Sequence, residues 1–179
     1  MTLARIKSVL GIALSLAVAG FLHFSLPSRD IVRIVGTDVV REDVRRTDAA
    51  GNAVVLTRDV RYIYAKRPNG GDSVYRNEDT GWGWPPYFKF DTADLQARAA
   101  DMVSTKDDPQ WAVIRHYGWR NQWLSIFPNA TSIKPIDDPE TTLIPWFNIV
   151  FLILLAAVLR TIQVRVRRLW QRWTAPDEA

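Results

Sequence analysis

The chain has no cysteine, only two histidines and only two methionines in 179 residues. Without thiols there is no disulfide framework, no thiolate zinc or iron–sulfur ligation and no cysteine nucleophile. A bacterial lipoprotein anchor is excluded for the same reason. The histidines, His23 and His116, stand far apart, and neither has a second histidine nearby to build a common metal site. No GxSxG, HExxH, CxxC or phosphate-cradling glycine loop occurs. Ser104 and Ser125 have no base tied to them by spacing. The formal net charge is +4. No basic stripe or nucleic-acid motif accompanies it, so no nucleic-acid partner is expected. Catalytic, cofactor and metal residues are therefore all expected to be none.

Long apolar runs are also missing from the middle of the chain, but both ends have one. Residues 8–26 contain no acid, lysine or arginine, follow Arg5 and Lys7, and stop at Pro27. That is enough helix to cross a hydrocarbon core. A cleaved signal peptide is the rival reading. The exit, Phe21-Leu22-His23-Phe24-Ser25-Leu26, offers no small-x-small site. Residues 143–159 form a second span, with Pro145 suited to a first helical turn and Trp146 to an interface. Arginines crowd the chain after Leu159, and the middle is close to charge balance. Basic flanks stay inside. The expected organisation is a cytoplasmic N-terminus (1–7), a first span (8–26), an extracytoplasmic domain (27–142), a second span (143–159) and a basic cytoplasmic tail (160–179). A bacterial inner membrane with a periplasmic central domain fits this pattern.

The central domain is patterned mainly for strands. Ile31–Val35, Val39-Val40 and residues 52–66 are rich in β-branched and aromatic residues. Pro68-Asn69-Gly70-Gly71 signals a turn, with a short strand returning at Ser73–Arg76. Arg29–Arg33 and Arg58–Tyr62 echo each other and suggest sheet-edge strands. Asp91 suits the N-cap of a helix running to about Val103, with Leu95, Ala99 and Met102 inward. Residues 111–119, 121–127 and 131–136 suggest further strands. The fold class is α+β: two transmembrane helices flanking a small, mostly β domain with one clear helix.

Several blocks are distinctive together: LPSRDIVRIVGT, RDVRYIYAKRPNG, VYRNEDTGWGWPPYFKFDTADLQ, VSTKDDPQWAVIRHYGWRNQWLSIFPNA and IPWFNIVF. They resemble an uncharacterised family of small two-span inner-membrane proteins, a domain of unknown function seen mainly in alphaproteobacteria. The resemblance covers about residues 26–151. It implies membership and membrane attachment, and it transfers no mechanism.

The candidate contact residues are aromatic. Trp82, Trp84, Tyr87 and Phe88 lie in a loop that two glycines and two prolines keep from being helical. Exposed, they would meet a protein partner, the outer leaflet or a glycan; buried, they would form core. Trp119, Trp123 and His116 form a second group, with His116 read either as a polar anchor in a ligand groove or as a bonded sheet histidine. Glu78, Asp79 and Asp91 read as a carboxylate pair beside aromatic platforms, or as partners of Arg76 and Lys89. His23 is either a proton relay or a boundary group. In the tail, Ile162, Val166, Leu169, Trp170 and Trp173 keep helical spacing, and Arg160, Arg165, Arg167, Arg168 and Arg172 surround them. An inner-membrane interface helix that bends or tilts along the surface is expected there. The expected partners are the lipid bilayer, a membrane or envelope protein, and a second copy of the chain. The first functional expectation is an accessory or scaffold protein of an inner-membrane or envelope complex. The alternative is an extracytoplasmic ligand-binding or sensory module with a Trp-rich site, and an envelope hydrolase is a distant third.

Overall fold

The computed structural model describes residues 3–47 and 51–174. In order, the elements are α1 (Leu3–Ser25), β1 (Ser28–Thr47), β2 (Ala53–Lys66), β3 (Asp72–Asn77), α2 (Thr92–Asp101), β4 (Trp111–Tyr117), β5 (Asn129–Ile136) and α3 (Trp146–Thr174). The expected α+β class is what the chain adopts. It divides into two compact units, residues 1–142 and 143–179.

The five strands close into a barrel in the order β1-β2-β3-β5-β4. All pairings are antiparallel except β3 with β5, which meet in parallel at Arg76 and Asn129. A five-stranded Greek-key barrel with its helix between the third and fourth strands is the OB-fold architecture. β1 makes closure possible because it serves two neighbours. Its first part, Ser28–Arg33, pairs with β4, and Arg33–Thr47 pairs with β2. The register shifts between Ile34 and Gly36, where the strand turns from one partner to the other.

Alternation fills the interior. Val32 and Ile34 point inward from β1, Ile63 and Ala65 from β2, Tyr75 from β3, Ala112 and Ile114 from β4, and Ala130 and Ile133 from β5. Leu95 and Ala99 of α2 complete this core, and Met102 packs at its margin. The Ser104 N–H just beyond α2 donates to the Ile34 carbonyl, so the helix covers the mouth of the barrel at the Ile34 end. The β2–β3 turn works as its composition requires. Gly70 adopts φ 83, and its N–H donates to the Arg67 carbonyl at 2.9 Å.

Two local expectations need correction. α2 ends at Asp101, and Asp91 makes no side-chain cap; Asp79 caps instead, accepting from the Thr92 N–H at 3.1 Å and the Thr92 hydroxyl at 2.6 Å. Residues 121–127 are not a strand but a tight loop closed by the reciprocal Asn121–Ile126 bridge, with Ser125 at φ 50. Within the closed barrel, Arg29–Val32 pairs only with β4 and Arg58–Val60 only with β1, so these two charged stretches each keep one unpaired flank. Both helices also outrun their apolar cores. The segments able to span a membrane are Arg5–Ser25 and Trp146–Gln171, and α3 continues unbroken through the arginine-rich stretch. Residues 1–2 of the N-terminal segment, 175–179 of the tail and the Arg172 side chain lie outside the described residues.

Candidate functional site

Two loops turn back from the barrel onto the last turns of α1. The first, between β3 and α2, is anchored by a buried polar cluster. The Lys89 ammonium donates to Asn77 Oδ1 at 2.7 Å and to Thr92 Oγ1 at 2.8 Å, with Asp79 at 3.8 Å. Burial pulls the Lys89 ammonium below its ordinary pKa, against the opposing pull of Asp79 and Asp91. From this anchor the loop reaches the helix. Trp84 Nε1 donates to Ser25 Oγ at 3.1 Å, the Tyr87 hydroxyl donates to the Ser25 carbonyl at 2.7 Å, and Trp84 stacks on Phe21 at 5.3 Å. Tyr87 in turn stacks on Tyr117 of β4 at 4.7 Å.

The second loop joins β4 to β5. The Gly118 N–H donates to the Phe24 carbonyl at 3.0 Å. Gly118 takes φ +93, a backbone conformation that favours glycine, where the chain crosses Phe24. Trp119 Nε1 donates to His23 Nδ1 at 2.9 Å, and its ring meets Phe24 edge-on at 5.4 Å. His23 is therefore engaged at the helix–loop junction.

Between the second loop and the outer face of β2–β3 lies a groove of about 330 Å³, lined among others by Arg58, Arg76, Glu78, Tyr117, Trp119 and Phe127. Its charges are paired. Arg76 lies 3.3 Å from Glu42 and 3.1 Å from Glu78, and Arg58 lies 3.7 Å and 3.3 Å from the same two acids. The Tyr62 hydroxyl beside them donates to Glu42 at 2.7 Å, and its pKa is pushed up to about 12, first by burial and then by that bond. Tyr117 is also pushed up by burial, although its hydroxyl accepts from Asn129 Nδ2 at 3.1 Å.

A separate cluster sits inside the barrel near the mouth away from α2. Asp30 Oδ2 accepts from the Tyr75 hydroxyl at 2.6 Å and from Arg67 at 3.1 Å, with His116 Nε2 at 3.3 Å. Burial alone would raise the Asp30 carboxyl. The close His116 contact, the Tyr75 hydrogen bond and the Arg67 charge overcome it and hold the group well below the usual carboxylate range. Burial and the Asp30 charge raise the Tyr75 hydroxyl.

The contact residues expected from sequence thus fall into three places. Trp84, Tyr87 and Trp119 gather on the end of α1. Trp82 meets Phe88 and Phe90 edge-on, while Trp123, at 96% exposure, projects from the second loop. His116 is not in the aromatic groove; it is a buried barrel residue beside Asp30, with the Tyr75 ring at 5.2 Å rather than tryptophans. Glu78, Asp79 and Asp91 each have a cationic partner, Asp91 with Arg98 at 3.3 Å. Arg58, Arg76 and Phe127 were not expected from sequence as groove residues, nor Glu42 as the partner of both arginines. The outward positions of β2 and β3 are legible as alternation, but the crossing of the β1–β2 ribbon that brings in Glu42 is not. Among the described residues no group of three or more His, Asp or Glu is placed to hold a metal ion. On α3, Arg160, Arg165, Arg167, Arg168, Trp170 and Trp173 are exposed.

Residues 3–173 match a family described as protein of unknown function (DUF1523). An uncharacterized protein of Haemophilus influenzae is 40% identical over 136 residues, covering 74% of this chain and 76% of that one. That relative is gammaproteobacterial, so the likeness is not confined to alphaproteobacteria. No solved structure matches.

Proposed function

The chain belongs to the DUF1523 family, whose function is unknown, and we propose that it is a membrane-anchored ligand-binding module. Its site is the groove between the β2–β3 face and the β4–β5 loop. The observation that carries this reading is position: in OB-folds, the face of strands 2–3 with the β1–β2 and β4–β5 loops binds oligonucleotides and oligosaccharides. The chemistry then selects between the two. Arg58 and Arg76 are already neutralised by Glu42 and Glu78, which leaves no surplus positive charge for a phosphate backbone. Trp119, Phe127 and Tyr117 supply aromatic surfaces, with amide and carboxylate groups between them. This combination suits a neutral, hydroxyl-rich ligand of the oligosaccharide class.

The domain lies outside the cytoplasm in this reading, with both termini inside. The support is charge: Arg5 and Lys7 lie at the N-terminal end of the first spanning helix, and five arginines from Arg160 to Arg172 lie at the C-terminal end of the second. A periplasm-dependent reporter fused after Asn69 is expected to be active, and one fused after Gln171 inactive. The reverse pattern overturns the orientation.

Binding is tested on the full chain in lipid nanodiscs, titrated with β-linked N-acetylglucosamine oligomers and, for comparison, with a single-stranded oligonucleotide. Saccharide binding that weakens at least tenfold in both Arg58→Ala and Phe127→Ala supports the site. Oligonucleotide binding alone reverses the ligand class. If neither binds, the accessory-subunit reading takes precedence, and co-purification from gently solubilised membranes becomes its test.

A further inference from the structure

The geometry points to the two aromatic loops, residues 80–90 and 119–126, being embedded in the lipid interface beside α1, so that the barrel is seated on the bilayer rather than tethered above it. This goes beyond the binding groove and holds whatever the groove accommodates and whichever leaflet faces the domain.

The first spanning segment, Arg5–Ser25, has 21 residues. At 1.5 Å per residue that is about 30 Å, the thickness of the hydrocarbon core. Ser25 therefore stands at the boundary, and Phe21 lies about 6 Å deeper, four residues back along the helix. Trp84 stacks on Phe21 while bonding Ser25, and Trp119 bonds His23. These indoles are fixed alongside residues 21–25 of the span, and wherever those residues sit in the membrane the rings sit too. Both N–H groups are satisfied by the span itself, which removes the main cost of leaving water.

The surface around them fits the same environment. Trp82 is 84% exposed, Trp123 96% and Leu124 68%, and Phe88 and Phe90 are exposed beside Trp82. Apolar exposure on this scale, concentrated on two loops that meet one helix end, marks a contact surface. No acidic residue occurs from Thr80 to Phe90 or from Gly118 to Phe127. The cations there are Lys89, which is buried, and Arg120, which lies 4.3 Å over the Phe127 ring. A surface of tryptophan and phenylalanine with no acid is that of an interfacial aromatic belt.

The absence of cysteine permits a direct depth measurement. The full chain, carrying Trp82→Cys, Leu124→Cys or Ala97→Cys, is spin-labelled and reconstituted in vesicles of phosphatidylethanolamine and phosphatidylglycerol. Ala97 lies on the exposed side of α2 and reports water. Labels at 82 and 124 are expected to collide with oxygen and to be shielded from a water-soluble nickel chelate, with the opposite ratio at 97. Nickel accessibility at 82 and 124 equal to that at 97 overturns the proposal. Fluorescence guards against a misfolded variant. With lipids brominated near the carbonyls, the quenchable fraction of tryptophan emission is expected to fall when Trp82 and Trp123 are both changed to Phe. A rise in that fraction means those two indoles were in water, and sinks the idea.

Discussion

Replacing Asp30 by asparagine tests the polar plug of the barrel, because it keeps the shape while removing the charge and turning one acceptor oxygen into an amide donor. One carboxylate oxygen receives Tyr75 at 2.6 Å and Arg67 at 3.1 Å, with His116 at 3.3 Å. A hydrogen bond to a charged group contributes about 1.5–3 kcal/mol. The Arg67 pair, whose guanidinium is half-exposed, adds about 0.2–1 kcal/mol. The His116 contact is an ion pair only while the imidazole is protonated. The expected loss in Asp30→Asn at pH 7 is therefore about 2–4 kcal/mol. The pH dependence has a definite sign. The folded Asp30 pKa is depressed, so below the ordinary carboxylate value the unfolded chain binds the extra proton first. The stabilisation is complete above about pH 4 and shrinks below it by up to about 1.4 kcal/mol per pH unit, so the parent and variant converge in acid. Urea unfolding of the full chain in micelles, followed by near-ultraviolet circular dichroism, measures the gap. A gap that is absent at pH 7, or that stays constant from pH 7 to pH 2.5, refutes the charge argument.

Two further predictions concern other parts of the chain. Lys89→Met fills similar volume but strips the donor from Asn77 and Thr92 and the charge from beside Asp79, so unfolding in the same micelles is expected to show a loss of about 3–5 kcal/mol. A loss under 1 kcal/mol would mean the cluster does not anchor the loop. A peptide of residues 161–175 is expected to gain helicity and blue-shifted tryptophan emission with phosphatidylglycerol vesicles, and to lose both in high salt. No response to either anionic or neutral vesicles would leave the arginines as an orientation signal alone.

The outline of the fold was legible because it rests on local chemistry. The two apolar runs, the Pro68–Gly71 turn and the inward spacing of Leu95, Ala99 and Met102 each follow from residues close in sequence. What escaped reading depends on contacts between distant segments. Asp79 rather than Asp91 caps α2 because the loop doubles back. Residues 121–127 carry strand-like residues but close on themselves, since β5 takes the place beside β4. The aromatic residues were identifiable from sequence as contact groups. Their convergence on Phe21, His23 and Ser25 follows from the barrel returning both loops to the helix that precedes it. His116 looked like part of that group because Trp119 and Trp123 are its neighbours in sequence. Strand alternation, which aims Ile114 and His116 into the barrel, separates it from them.

The proposed binding site is the groove between the β2–β3 face and the β4–β5 loop. Its most direct test is backbone amide mapping of the full chain in nanodiscs during titration with β-linked N-acetylglucosamine oligomers. Saturable shifts are expected only at Arg58, Arg76, Glu78, Tyr117, Trp119, Phe127 and their immediate neighbours, with α2 unmoved. Saturable shifts centred on α2 or on the exposed face of β4 instead, with the groove residues unchanged, would contradict it.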